Sequence, residues 1–138
     1  MAAILIVDDD EVIRDVLYEL FGQEHLCHTA ATAERALEWL EAEPYDVILT
    51  DISMPGMSGL ELLAHIRQRQ PNTPVIIITG IDYQQYSGDL INRMGAFDYL
   101  VKPFELQDAQ GKVARAIIHR EHWLDEVGES VKRALKRD

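Results

Sequence analysis

A single cysteine, Cys27, stands among 138 residues. No disulfide can therefore close within the chain, and the composition suits a reducing compartment. Apolar runs are short: none approaches the roughly 18 consecutive residues of a membrane span. No signal-peptide pattern opens the sequence, which begins at once with the strand-like AAILIV. Together these absences set the expectation of a cytoplasmic protein with no membrane association. Basic residues are outnumbered, 13 Lys and Arg against 24 Asp and Glu, for a net charge of −11. Without a basic face the chain is not expected to bind nucleic acid directly. Neither GxGxxG nor GxxxxGK follows the first strand-like run, which removes the mechanism of dinucleotide and P-loop binding. Internal repeats and low-complexity segments are also missing.

What is present is ordinary in amount, with 47% apolar and 27% charged residues, enough for one domain with a real core. The order is alternating. Continuous apolar runs at Ala3 to Val7, Asp46 to Thr50 and Val75 to Thr79, a weaker one at Leu26 to Ala30 and a last one at Phe97 to Val101 read as strands. Between them, apolar residues recur at helical spacing: Val12, Ile13, Val16, Leu17, Leu20 and Phe21; then Ala33, Ala36, Leu37 and Leu40; then Leu60, Leu62, Leu63 and Ile66. A short helix is expected near Leu90 to Met94, and a long one from Glu105 onward. Strands apolar on both faces are parallel strands covered by helices on each side. Right-handed crossovers then give a doubly wound five-stranded α/β sheet with five helices.

In such sheets function gathers at the carboxyl ends of the strands. There the first strand ends in Asp8, Asp9 and Asp10, the third in Asp51, the fourth in Thr79, and the fifth in Lys102 followed by Pro103. Carboxylates crowded at strand tips repel one another and would repel phosphate unless something neutralises them. A hard divalent cation with oxygen ligands does so, and Asp8, Asp9 and Asp51 read as a Mg²⁺ site. With the metal bound, a phosphoryl group is no longer repelled, and one carboxylate can become its covalent acceptor. An acidic run at a helix start also complements the helix dipole, and that reading stays open for Asp10 and Glu11.

The stretches ILIVDDDEVIR, DVILTDISMPGMSGLELL, VIIITG and GAFDYLVKPF, in this order over residues 3 to about 120, resemble the receiver domain of two-component response regulators. That resemblance implies the CheY-like, flavodoxin-like strand order 2-1-3-4-5. It implies Asp51 as phosphoacceptor and Asp8 and Asp9 as the acidic pair that helps hold Mg²⁺. Ser53 matches the position whose backbone carbonyl completes the metal site, Thr79 the switch hydroxyl, Lys102 the ammonium that bonds phosphoryl oxygen, and Tyr99 the aromatic that reorients with Thr79. Lys102–Pro103 matches a peptide that the family usually holds cis. Ser58 stands where the family often has Asp or Asn. Ser53 and Ile81 occupy positions that border the path of the hydrolytic water. The implied partner is a histidine kinase or phosphotransfer protein of a phosphorelay, and the implied output is a switch of the face built from helix 4, strand 5 and helix 5. The chain would promote its own phosphotransfer and autodephosphorylation without being an enzyme in the usual sense.

Two other classes compete. A receiver-like module that binds partners without phosphorylation would normally lack one of the acidic, acceptor or lysine residues, and all are present here. A Mg²⁺-dependent phosphohydrolase of the haloacid-dehalogenase kind wants a second Asp two residues after the nucleophile, where this chain has Ser53.

The tail differs in kind. Residues 1–104 carry 17 acidic and 6 basic side chains, while residues 105–138 carry seven of each. Residues 1–120 are expected to form the receiver domain and 121–138 a helical extension or linker. Ile117, Leu124, Val127, Val131 and Ala134 fall at four- and three-residue steps, interrupted by Arg120. That seam either packs back on the domain, dimerises weakly or joins a downstream output domain. A weak homodimer through the helix 4–strand 5–helix 5 face is the alternative.

Overall fold

The structure is a computed structural model, and it describes residues 1–80 and 92–136. Five strands are assigned: β1 (Ala3–Val7), β2 (Leu26–Ala30), β3 (Val47–Asp51), β4 (Val75–Thr79) and β5 (Asp98–Val101). They form one parallel sheet in the order β2-β1-β3-β4-β5. Four helices are assigned among the described residues: α1 (Glu11–Gly22), α2 (Ala33–Ala42), α3 (Gly59–Arg69) and α4 (Leu106–Leu135). Of the short helix expected near Leu90 to Met94, residues 90 and 91 lie outside the described residues, as does Ile81. Asn92 and Arg93 are helical, and Gly95 turns at φ 94°. The helix expected to be fifth is thus α4.

The strand sequences are apolar without interruption because both faces are covered. Side chains alternate across the sheet. Leu5, Val7, Ile48, Val75 and Ile77 point to one face, where Ala33, Ala36 and Leu40 of α2 and Leu62, Leu63 and Ile66 of α3 pack on them. Ile4, Ile6, Val47, Leu49, Ile76, Ile78 and Leu100 point to the other, under Leu17 and Phe21 of α1 and Ala109, Val113 and Ala116 of α4. Each fully buried Leu or Ile contributes about 1.5–3 kcal/mol.

Local signals set the helix starts. Asp10 caps α1 by accepting the Val12 N–H, Thr32 caps α2 by accepting that of Arg35, and Ser58 caps α3 by accepting that of Glu61. Ser58 and Glu61 have the capping-box spacing, so the serine at this position has a local task.

The C-terminal helix runs unbroken for 30 residues, through Arg120 and Gly128. Arg120, which interrupts the apolar seam, ties α4 to the sheet. Its Nη1 donates to Thr73 Oγ1 at 3.1 Å, and its Nε lies 3.3 Å from Asp46 Oδ1. Beyond it the seam residues Leu124, Val127 and Val131 are 45%, 39% and 51% exposed. No helix among the described residues is long and apolar enough to cross a membrane.

Candidate functional site

Parallel pairing brings the carboxyl ends of β1, β3, β4 and β5 to one edge. Register decides which residues meet there: Val7 pairs with Thr50, Asp51 with Ile78, and Thr79 with Val101. Asp8 follows β1, Asp51 ends β3, and Lys102 follows β5. Oxygens of Asp8, Asp9 and Asp51 all lie within 4.8 Å of one another. Lys102 Nζ sits between two of them, 3.0 Å from Asp8 Oδ2 and 3.1 Å from Asp51 Oδ2.

Two of the carboxylates, those of Asp8 and Asp51, are held by backbone N–H groups. Asp8 is fully buried, and its Oδ1 accepts the Asp10 N–H at 2.9 Å. The Arg14 guanidinium of α1 donates to the Asp8 carbonyl at 2.8 Å, and the Asp8 N–H donates to Ala30 O at 3.1 Å. Asp51 Oδ1 accepts the Ser53 N–H at 3.1 Å. Asp9 is exposed. Lys102 is set in place by its own N–H, which donates to Thr79 O at 2.7 Å; the Lys102–Pro103 peptide that follows is cis.

The electrostatics follow from this crowding. Burial and then the Asp8 charge push the Asp51 carboxyl up from 3.8 to about 6, against the pull of the Ser53 N–H and Lys102. Burial works against the Lys102 ammonium, but the Asp8 and Asp51 carboxylates outweigh it and hold its pKa above the ordinary lysine value. Among the described residues the Lys102 ammonium pairs with Asp8 and Asp51, and no ion pair reaches Asp9, so the three carboxylates carry an excess of negative charge. An oxygen-only, carboxylate-rich donor set with uncompensated charge fits Mg²⁺.

Two of the sequence-expected residues stand apart from this cluster. The Thr79 hydroxyl donates to Gly80 O at 3.2 Å. Tyr99 is half-buried on the α2/α3 side of the sheet, with Lys112 Nζ 5.2 Å from its ring centroid. That lysine also lies 3.8 Å from Asp98 and 3.5 Å from Asp108, tying β5 to the first turn of α4.

Two further residues shape the site and escape a reading of the sequence. A Cβ on Gly59 would fall 1.9 Å from the carbonyl oxygen of Asp51, so only glycine lets α3 begin against the acceptor strand. Glu34, in the first turn of α2, accepts the Met57 N–H at 3.1 Å, fixing the loop between Asp51 and α3. The backbone N–H of Glu34 itself, and then that of Met57, hold its carboxyl below the usual glutamate value. Glycine in MPGMSG reads as turn chemistry, and nothing near Glu34 in sequence announces a contact with Met57.

The wider likeness of the chain agrees with this geometry. Residues 4–114 match the model of the response regulator receiver domain. Over 115 residues the chain is 45% identical to the DNA-binding transcriptional regulator NtrC of Escherichia coli, covering 83% of this chain and 24% of that protein. It is 40% identical to the response regulator protein PilR of Pseudomonas aeruginosa, covering 82% of this chain and 25% of that one. The chain therefore spans about a quarter of the length of these curated relatives. Among solved structures, a response regulator receiver domain protein from Clostridium thermocellum superposes with a TM-score of 0.82 at 30% identity, over 89% of this chain and 99% of that one. NtrX from Brucella abortus in complex with ADP superposes with a TM-score of 0.85 at 30% identity, over 91% of this chain and 29% of the other. Sequence, topology and solved relatives converge: the chain belongs to the response regulator receiver domain family.

Proposed function

We propose that Asp51 accepts a phosphoryl group from a histidine kinase or phosphotransfer protein in a Mg²⁺-dependent reaction, and that the modified chain switches a partner or output domain. The observation that carries this reading is the meeting of Asp8, Asp9 and Asp51 within 4.8 Å, with Lys102 Nζ about equidistant from Asp8 and Asp51 at 3.0 and 3.1 Å.

Asp8, Asp9, Asp51 and the backbone carbonyl of Ser53 would hold the metal, which when bound supplies positive charge against the incoming phosphoryl oxygens. An Asp51 oxygen attacks phosphorus, the bond from phosphorus to the donor imidazole nitrogen breaks, and the electron pair leaves with that nitrogen. The product is an acyl phosphate. Lys102 then turns from its carboxylate partners toward a phosphoryl oxygen, and the Thr79 hydroxyl donates to another. Attack by water on phosphorus releases inorganic phosphate and restores the carboxylate, so the chain promotes both gain and loss of the group.

Drawing Thr79 inward leaves space for Tyr99 to rotate from beneath Lys112. The face made by the expected fourth helix, β5 and the start of α4 is then remodelled as a population shift between two states. Thr79→Ala should keep phosphorylation while losing the change in amide chemical shifts around Tyr99; shifts that respond as in the wild type would remove Thr79 from the switch.

Intact-mass measurement after treatment with acetyl phosphate and Mg²⁺ tests the acceptor chemistry. The wild type should gain one phosphoryl group and Asp51→Asn none. Labelling of the variant to the same extent would overturn the proposal.

A further inference from the structure

Asp8, Asp51 and Lys102 gather at the carboxyl ends of the strands. At the opposite end, where β4 and β5 begin, the loop between α3 and β4, the turn before β5 and helix α4 surround a cavity of about 330 Å³. Small-molecule pockets begin at that size. The buried Pro74 and Ala96 line its inner side. One wall is aromatic: the rings of Phe97 and His119 meet with centroids 5.2 Å apart, and Trp123 follows His119 one turn along α4, on the same helix face.

The charge in this cavity runs against that of the chain. Acidic residues outnumber basic ones 24 to 13, yet the described residues that line the cavity include Arg67 and His119 and no carboxylate. Arg67 is half-buried. Burial lowers its pKa, and no neighbouring charge offsets that effect. Its anchors are neutral: Nη1 donates to Pro71 O at 2.8 Å, and Nη2 donates to Thr73 O. The backbone of Gly95 lies on its stem, where a Cβ would come 3.4 Å from Cδ. These contacts fix the guanidinium without neutralising it. One proton on each Nη remains beyond the two given to the carbonyls, and Nε is buried without an acceptor among the described residues. A fixed, partly desolvated guanidinium of this kind is matched by a carboxylate, which accepts two of its N–H groups at once.

We propose that this cavity binds a small aromatic carboxylate, with its ring against Phe97 and Trp123 and its carboxylate on Arg67. Both halves of the ligand follow from the lining. An inorganic anion alone would leave the aromatic wall uncovered, and an uncharged ring would leave the guanidinium without its counter-charge. Asn72 and Asn92, exposed at the rim, add amide donors beside it. The site lies at the other end of the sheet from Asp51, and the inference rests on no part of the phosphoryl chemistry.

Titration of the full chain with 2-naphthoate, followed by N–H correlation spectra, tests it. The indole N–H of Trp123, the Nε–H of Arg67 and the amides of Gly95, Ala96 and Phe97 should shift together and saturate at millimolar ligand. The indole N–H of Trp39, which donates to Thr29 O at 3.0 Å on the far edge of the sheet, should stay in place. The neutral analogue 2-naphthamide should bind at least about tenfold more weakly, the worth of hydrogen bonds to a charged group. Arg67→Gln should weaken 2-naphthoate by a similar factor. Because Arg67 also ties down the loop between α3 and β4, Trp123→Ala supplies a change that leaves that tie intact. It should cost several-fold in affinity, read at Gly95 to Phe97, and keep the preference for acid over amide. A Trp123 signal unmoved by millimolar 2-naphthoate, an amide that binds as tightly as the acid, or an affinity unchanged in either folded variant would each overturn the proposal.

Discussion

Asp51 concentrates the tension of the site in one side chain. Its carboxyl is raised from 3.8 to about 6 by burial and by Asp8, so between these values the folded state binds more protons than the unfolded one. Stability linked to this group is fully present below the unfolded pKa and is lost as pH rises through about 6. In metal-free buffer, Asp51→Asn should therefore raise the unfolding free energy at pH 7 by about 1–2 kcal/mol and give little gain near pH 4. A pH-independent difference in urea unfolding would contradict that account. Lys102, Asp8 and Asp51 were legible in the sequence because strand ends gather function and the residue types there are chemically pointed. Gly59 was not, because its role is a close approach to Asp51 O created only when α3 folds back. Gly59→Ala should cost at least about 3 kcal/mol, since the obstacle is backbone. Denaturant midpoints equal to the wild type's would show that the loop can move aside.

At the scale of elements, the strands were read almost to the residue. An uninterrupted apolar run of five residues, as in VIIIT of β4, has few structural alternatives once helices flank it on both sides. The ends slipped by one: β3 is Val47–Asp51 and β5 begins at Asp98. The first shift takes Asp51 into the strand. Helix α4 shows the converse. Its length followed from periodicity, but Arg120 read only as a flaw in a seam, and its meaning depends on Asp46 and Thr73, far away in sequence. Removing its ion pair and hydrogen bond with Arg120→Ala should lower stability by about 1.5–3 kcal/mol. Hydrogen exchange should also quicken around residues 117–124, where the helix loses its tether. Unchanged protection there would mean that Ile117 and Ala116 hold the helix by packing alone.

The whole molecule separates a two-sided apolar core from an acidic edge. The helices and sheet supply stability, and the edge bears like charges that the fold forces together. Mg²⁺ should relieve that repulsion and raise the melting temperature by binding linkage. Asp8→Ala and Asp9→Ala should each diminish the rise, and a melting temperature indifferent to millimolar Mg²⁺ in wild type and variants would remove the metal from the account. The central claim is chemical and can be read at a single position. An acyl phosphate is reduced by borohydride to an alcohol, which leaves homoserine where the modified aspartate stood. After treatment with acetyl phosphate, Mg²⁺ and borohydride, peptide mass mapping should place homoserine at position 51; homoserine at another aspartate, or none anywhere, would contradict the account.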